Sequence, residues 1–228
     1  MIDKRVSSLE AAVADIKDGA VILIGGFGNA GIAVELVHAV IDQGARDLTL
    51  VTNNAGSGRT DVAALIATGR IRKVICSYPN TSGSTVFRDL YAAGKIELEL
   101  VPQGTLSERI RAGGAGIGGF FTPTGAGTEL AKGKETRIID GREHVFEQPI
   151  RGDVALIKAE KADRWGNLSY RGAARNFAPT MATAATLTVV QVRQFVSLGE
   201  LDPETVVTPG IFVNRVVLVP NPAPAGQA

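Results

Sequence analysis

AVILIGGFGNAGIAVELVHAVIDQG, residues 20–44, holds the reading that decides the fold. It opens on a short, unbroken apolar run, the pattern of a strand buried on both faces of a parallel sheet. Its second half sets Ile32, Leu36, Val37, Val40 and Ile41 on one helical face, and Gly44 supplies the stop. Glycines at 25, 26, 28 and 31 lie between the two halves. The same cycle recurs downstream. DLTLVT (47–52), KVICS (73–77) and IELELV (96–101) read as strands, and DVAALIATG (61–69), STVFRDLYAAG (84–94) and LSERIRAG (106–113) as helices. Such alternation implies right-handed crossovers, and therefore an α/β fold with a mostly parallel sheet flanked by helices.

Outward from this core, Ser7 and Glu10 have capping-box spacing and predict a helix running to Ile16. The rhythm breaks after Gly113. GGAGIGGFFTPTGAG (113–127) carries seven glycines, too many for a stable helix, and its apolar residues make it a loop packed near a ligand rather than a solvated linker. TRIIDGREHVF (136–146) predicts a β-hairpin, with Asp140-Gly141 as its type I′ turn. Beyond it the pattern gives strand DVALIKA (153–159), turn DRWGN (163–167), strand LSY (168–170), helix NFAPTMATAA (176–185) and strand LTVVQV (187–192). The reading is one domain over residues 1–220 and a disordered tail over 221–228.

Composition narrows the function. The 24 basic and 23 acidic side chains nearly cancel, which argues against nucleic acid or an anionic membrane as partner. No apolar run approaches the roughly 18 residues that span a bilayer, and the N-terminus lacks a signal-peptide pattern, so a cytoplasmic location is expected. Cys76, the single cysteine, sits in a strand-like run and reads as a small buried residue. His38 and His144 stand alone and read as structural, and no metal-ligand cluster is present.

GFGNAG, residues 26–31, satisfies the dinucleotide pattern G-x-G-x-x-G. That chemistry also needs an acid at the end of the second strand to hold the ribose. Asn53-Asn54-Ala55-Gly56 stands there instead, and Asp47 precedes the strand, at its opposite end. A nicotinamide oxidoreductase therefore stays as the alternative from another enzyme class. What survives is a backbone cradle for an anion or a developing oxyanion. Asn53 and Asn54, Ser77 to Asn80, and Pro102-Gln103-Gly104 each follow a strand, so all gather at the carboxyl edge of the sheet. They supply hydrogen-bond donors but no nucleophile and no base. This is half an active site, and it implies a partner that brings the reactive group. Arg109 and Arg111 are candidates for holding phosphates, although a solvated helix face explains them equally well.

GGFGNAGI (25–32), NNAG (53–56), KIELELVPQGTLSERIRAGGAGIGGFFTPTG (95–125), DRWGNLSYRGAARNF (163–177) and TPGIFV (208–213) together resemble the family I CoA-transferases, specifically the α (A) subunits of the 3-oxoacid type. The resemblance runs from about Val6 to Val219. It implies the NagB/RpiA/CoA-transferase-like fold and transfer of CoA from succinyl-CoA to a 3-oxoacid. 3-Oxoadipate is the expected acceptor, with acetoacetate or acetate as alternatives. It further implies a ping-pong route through a glutamate in a Ser-Glu-Asn-Gly motif on a β subunit. That motif is absent from this sequence, so the catalytic residue is expected on the partner, in an αβ or α2β2 assembly. No cofactor is implied beyond the coenzyme A thioester, which is a substrate. Carried over from the resemblance, Gly25, Gly26, Phe27 and Gly28 would line the thioester site, Asn53, Asn54 and Gln103 would orient the substrate, and Gly104 would lie beside them. Two positions depart from the family: Ala33 replaces a proline after the glycine loop, and Ala126 stands where relatives carry tyrosine.

Overall fold

The computed structural model describes residues 1–81 and 83–223. Its centre is β1 (Val21–Ile24), which pairs in parallel with β2 (Leu48–Thr52) on one side and β8 (Gly152–Ala162) on the other. Beyond β2 come β3 (Ile71–Cys76) and β4 (Glu97–Leu100). Beyond β8 come β10 (Ala185–Phe195) and β11 (Arg215–Leu218), all parallel, and the two-residue β9 (Leu168–Ser169) pairs antiparallel with β8. The strand order is therefore β11-β10-β8-β1-β2-β3-β4. The chain builds outward from β1 to β4 and then returns to the other side of β1. At this reversal two neighbouring strands send their connections to opposite faces of the sheet, which opens a crevice at their carboxyl ends.

Alternate residues of the strands feed two cores. Ile22, Ile24, Leu48, Leu50 and Val74 pack with the helices α1 (Leu9–Val13), α2 (Val34–Gln43), α3 (Val62–Ala67) and α4 (Val86–Ala92). Leu23, Val51, Ile75, Ala155 and Ile157 face the other way, against α5 (Gln103–Ala115) and α6 (Ala178–Thr183). Both faces of the sheet are thus covered, which is why its strands read as continuous apolar runs. Each fully buried Leu or Ile contributes roughly 1.5–3 kcal/mol.

A separate antiparallel sheet has the order β5-β7-β6, built from β5 (Phe120–Thr122), β6 (Thr136–Ile139) and β7 (Arg142–Glu147). Asp140 and Gly141 have φ of 50° and 73°, so the hairpin turn has the positive angles that a type I′ turn requires. A partly buried charge network ties this sheet to the main one, with Arg109 3.7 Å from Glu147 of β7. Arg109 donates to Glu99 at 2.7 Å and to the Gln148 carbonyl at 2.7 Å, and Lys134 reaches Glu147 at 2.6 Å.

Four sequence expectations need correction. Helix α1 is capped by Ser8, which accepts from Ala11 N, rather than by Ser7, and it ends at Val13 instead of Ile16. Helix α5 begins three residues earlier than expected, at Gln103, and it runs through Gly113 and Gly114. Those glycines are there for contact. A Cβ on Gly113 would lie 2.0 Å from the Ile150 carbonyl oxygen, and one on Gly114 would lie 2.2 Å from Thr183 Oγ1. Close approach of α5 to the β8 entry and to α6 outweighs helix propensity. The rest of the glycine-rich segment contributes β5 rather than a pure loop. Strand β11 was missed, because its four residues follow the Pro- and Gly-bearing segment 208–213 and lack a flanking helix pattern. Of the expected tail, residues 221–223 have no regular secondary structure, and 224–228 lie outside the described residues. No helix among the described residues is long and apolar enough to cross a membrane.

Candidate active site

The turn after β1 lies at the topological reversal. Phe27 N donates to the Ala30 carbonyl at 2.9 Å, and Ala30 N donates back to Phe27 at 3.0 Å, so Gly28 and Asn29 form the tip of a tight hairpin. Gly28 has a φ of 56°, a region open to glycine at no steric cost. The N–H groups of Gly28 and Asn29 take no part in the hairpin bonds. Gly26 serves a different purpose: its φ is 148°, and a Cβ there would lie 2.5 Å from Ile32 Cγ1.

Next to this tip, the ends of β2 and β3 and the start of α5 converge. The Asn53 carbonyl accepts from Ser77 N and Tyr78 N, each at 3.1 Å. Its side-chain Oδ1 accepts from Ser77 Oγ at 2.8 Å and from Gln103 Nε2 at 2.7 Å. Asn54 Oδ1 accepts from Gly56 N at 2.9 Å, an Asx-type closure. Both asparagines are buried. With the oxygens so occupied, the amide nitrogens of Asn53 and Asn54 have no partner among the described residues. Among the described residues no buried side-chain polar atom is left unpaired, so neither nitrogen is fully enclosed. Thr81 caps the wall with a hydrogen bond to the Gly56 carbonyl.

These segments enclose a cleft of 730 Å³ lined by Phe27, Gly28, Asn29, Asn53, Asn54, Ser57, Ser77, Tyr78, Thr81 and Gln103. Phe27 and Tyr78 form aromatic walls that remain 51% and 62% exposed. Among the described residues the lining contains amides, hydroxyls and backbone N–H groups, but no carboxylate, thiol or imidazole. Phe27 also borders a second hollow, with Tyr170, Arg175 and Asn176 on its far side.

Of the residues expected at the site, the structure brings Phe27, Gly28, Asn53, Asn54 and Gln103 together. Gly25 and Gly26 do not line the cleft; they shape the turn that reaches it. Gly104 lies outside the lining, in the exposed first turn of α5. Asn29, Ser57 and Thr81 were not among the expected site residues, and Ser77 and Tyr78 were expected only as part of the polar 77–80 stretch at the carboxyl edge. Their signal was position, since all follow the first three strands at the carboxyl edge, whereas residue type alone does not separate them from ordinary turn formers.

The other sequence candidates fall elsewhere. Arg109 is consumed by Glu99, Glu147 and the Gln148 carbonyl, and Arg111 pairs with Glu108 at 2.8 Å, so neither is placed for a phosphate in this cleft. Burial opposes ionisation of Glu99, but hydrogen bonds from Lys73 and Arg109 outweigh it and lower its pKa. Asp47 pairs with Arg72 ahead of β2, away from the glycine turn. Cys76 is fully buried, and desolvation pushes its thiol up to about 12. His38 Nε2 sits 2.7 Å from the Thr60 carbonyl, and His144 Nδ1 sits 2.9 Å from the Arg142 carbonyl. Ala33 is the N-cap of α2 and offers no side-chain cap bond, and Ala126 is not part of the cleft wall.

Known proteins share this architecture. The chain is 59% identical over 228 residues to a Pseudomonas putida protein named as the A-subunit of 3-oxoadipate CoA-transferase, covering 100% of this chain and 99% of the relative. It is 57% identical to the protein of that name from Acinetobacter baylyi, covering both chains completely. Glutaconate coenzyme A-transferase from Acidaminococcus fermentans superposes with a TM-score of 0.82 at 27% identity, over 95% of this chain and 76% of that one. An acyl-CoA transferase from Escherichia coli O157:H7 shares the fold with a TM-score of 0.84 at 24% identity over 97% of this chain, which spans 48% of its length. Residues 6–218 match the Coenzyme A transferase family, and with the glycine hairpin, the amide-lined cleft and the parallel sheet beneath them, this chain belongs to that family.

Proposed function

We propose that this chain is the α subunit of a CoA-transferase that moves CoA from succinyl-CoA to a 3-oxoacid, with 3-oxoadipate as the acceptor. One observation carries the division of labour: among the described residues the cleft presents neutral donors on four successive segments, with no carboxylate or thiol to attack a thioester and no base to activate its hydroxyls. The end-to-end likeness to proteins named as A-subunits of 3-oxoadipate CoA-transferase supports both the acceptor and the need for a second subunit.

In this reading the succinyl-CoA carbonyl is attacked by a glutamate of the partner β subunit. The C–S bond breaks, CoA leaves as thiolate, and an acyl-glutamyl anhydride remains. The thiolate then attacks the glutamyl carbonyl, releasing succinate and forming a glutamyl-CoA thioester. The acceptor carboxylate reverses both steps, so the glutamate is regenerated and no proton need be lost or gained. Each addition places negative charge on a carbonyl oxygen. Fixed donors aimed at that oxygen lower the barrier without reorganising during the step. The Asn53 and Asn54 amide nitrogens and the Gly28 and Asn29 N–H groups are this chain's donors for that purpose. Gln103 fixes the Asn53 amide by occupying its oxygen. Coenzyme A enters as substrate, and the chain brings no cofactor of its own.

The test is co-expression with the β subunit, followed by an assay of CoA exchange between succinyl-CoA and 3-oxoadipate, with acetoacetate and acetate as competitors. Borohydride should trap the thioester intermediate on the partner chain. Trapping on this chain, or faster exchange with acetoacetate or acetate, would overturn the corresponding part.

A further inference from the structure

We propose that Asn176 is the positioning residue of the glycine hairpin, holding the Gly28–Asn29 tip at the cleft through one side-chain amide. The inference rests on the transferase reading of the cleft. It concerns a residue that lines only the neighbouring hollow.

The hairpin has little to hold it by itself. Two backbone bonds close it, and its most apolar member, Phe27, is half exposed. An isolated hairpin of this size is marginal in water. Asn176 Nδ2 donates to the Ala30 carbonyl at 3.0 Å, the same carbonyl that accepts Phe27 N to close the hairpin. The same nitrogen donates to the Ala173 carbonyl at 2.9 Å, while Oδ1 accepts from Phe177 N at 2.7 Å. One amide therefore joins three backbone groups on two segments 146 residues apart in sequence. Its own φ is 22°, at the edge of the left-handed region that asparagine tolerates better than most residues. The anchor behind it is firm, because Phe177 and Ala178 are buried in the core beneath the sheet.

A second contact fixes the hairpin's exit. Gly31 lies so near the same segment that a Cβ would sit 2.4 Å from the Ala174 carbonyl oxygen and 2.7 Å from Asn176 Nδ2. Segment 173–177 is thus a template against which the hairpin is pressed at Ala30 and Gly31. Releasing the Ala30 carbonyl frees the tip to drift, and donors displaced by about 1 Å lose much of their value in catalysis.

The test uses two variants, each in complex with the β subunit. Asn176→Asp keeps the acceptor for Phe177 N but turns an oxygen toward the Ala30 and Ala173 carbonyls. Asn176→Gly keeps the left-handed backbone and removes the clamp. Both should lower kcat about 10- to 100-fold, less than outright removal of an oxyanion donor, while KM for the acyl-CoA stays within about threefold. Hydrogen exchange over residues 25–33 should speed up at least about tenfold in both, as expected for a locally released segment. Retained kcat, a rise in KM with kcat unchanged, or unaltered exchange over 25–33 would each overturn the assignment. If the wild-type complex transfers no CoA, the transferase reading fails, and hydrogen exchange alone still decides whether Asn176 holds the hairpin.

Discussion

Asn53→Asp separates a substrate-facing donor from a structural amide with almost no change in shape. The Asn53 oxygen is already engaged by Ser77 at 2.8 Å and Gln103 at 2.7 Å, and aspartate preserves both bonds. The carbonyl bonds from Ser77 N and Tyr78 N are backbone and unaffected. What changes is the group facing the cleft, which passes from an N–H donor to a carboxylate oxygen. Losing one preorganised donor to a developing oxyanion costs about 2.7–4 kcal/mol, or 10²–10³ in rate. A like charge about 4 Å from that oxygen adds up to about 4 kcal/mol at an effective dielectric of 20. The expected outcome is a fall in kcat/KM of at least about 10³-fold, with the melting temperature nearly unchanged. Exchange should recover partly as pH falls, because the protonated acid regains an O–H donor. The assay is steady-state CoA exchange with the β subunit present, alongside thermal unfolding of the same preparation. Activity within tenfold of wild type would refute the assignment of Asn53 as a donor to the reacting carbonyl. A collapse in stability would instead mark it as a structural closure of the β2–β3 edge.

Two glycines of α5 should respond in opposite directions to alanine. Gly113→Ala gains about 1 kcal/mol of helix propensity but drives a Cβ to 2.0 Å from the Ile150 carbonyl, so chemical denaturation should show a net loss of about 1–3 kcal/mol. Gly104→Ala meets nothing within 4 Å and should stabilise by up to about 1 kcal/mol. Glu99 has its pKa lowered in the folded state, so its contribution is complete above the ordinary value of 4.5 and fades as pH falls through the folded value. Glu99→Gln should therefore lower stability at pH 7 by about 1–3 kcal/mol, with the gap to wild type closing in acid; a gap that widens in acid would reverse the sign. Cys76, with its thiol raised to about 12 and no exposed surface, should resist thiol reagents in the native protein and react only after unfolding. Rapid labelling of folded protein would show that the strand edge opens.

Much of the site was legible because a parallel sheet converts order along the chain into position in space. Once strands alternate with helices, whatever follows a strand arrives at one edge, and Asn53, Asn54 and Gln103 did so. The same logic pointed to residues 77–80, although it did not separate Ser77 and Tyr78, which line the cleft, from ordinary turn residues. The glycine pattern misled where residue type was read without contact. Gly25 and Gly26 were expected to line the site, yet the latter is required by the side chain of Ile32. Gly113 and Gly114 were read as breaking a helix, yet they permit one to lie against Ile150 and Thr183.

The sequence by itself determined the layering of the protein, its cleft edge and the absence of a Ser-Glu-Asn-Gly motif, because periodicity, strand order and residue identity are local properties. Tertiary structure alone decided which donors are free. Whether the Asn53 nitrogen or oxygen faces the cleft depends on Ser77 and Gln103, which lie 24 and 50 residues away. Whether Arg109 is available depends on Glu99, Glu147 and the Gln148 carbonyl. Whether the glycine hairpin is rigid depends on Asn176, 146 residues from the carbonyl it grips. A hydrogen bond is a short, directional contact, so its partners are fixed only after the chain has been brought together.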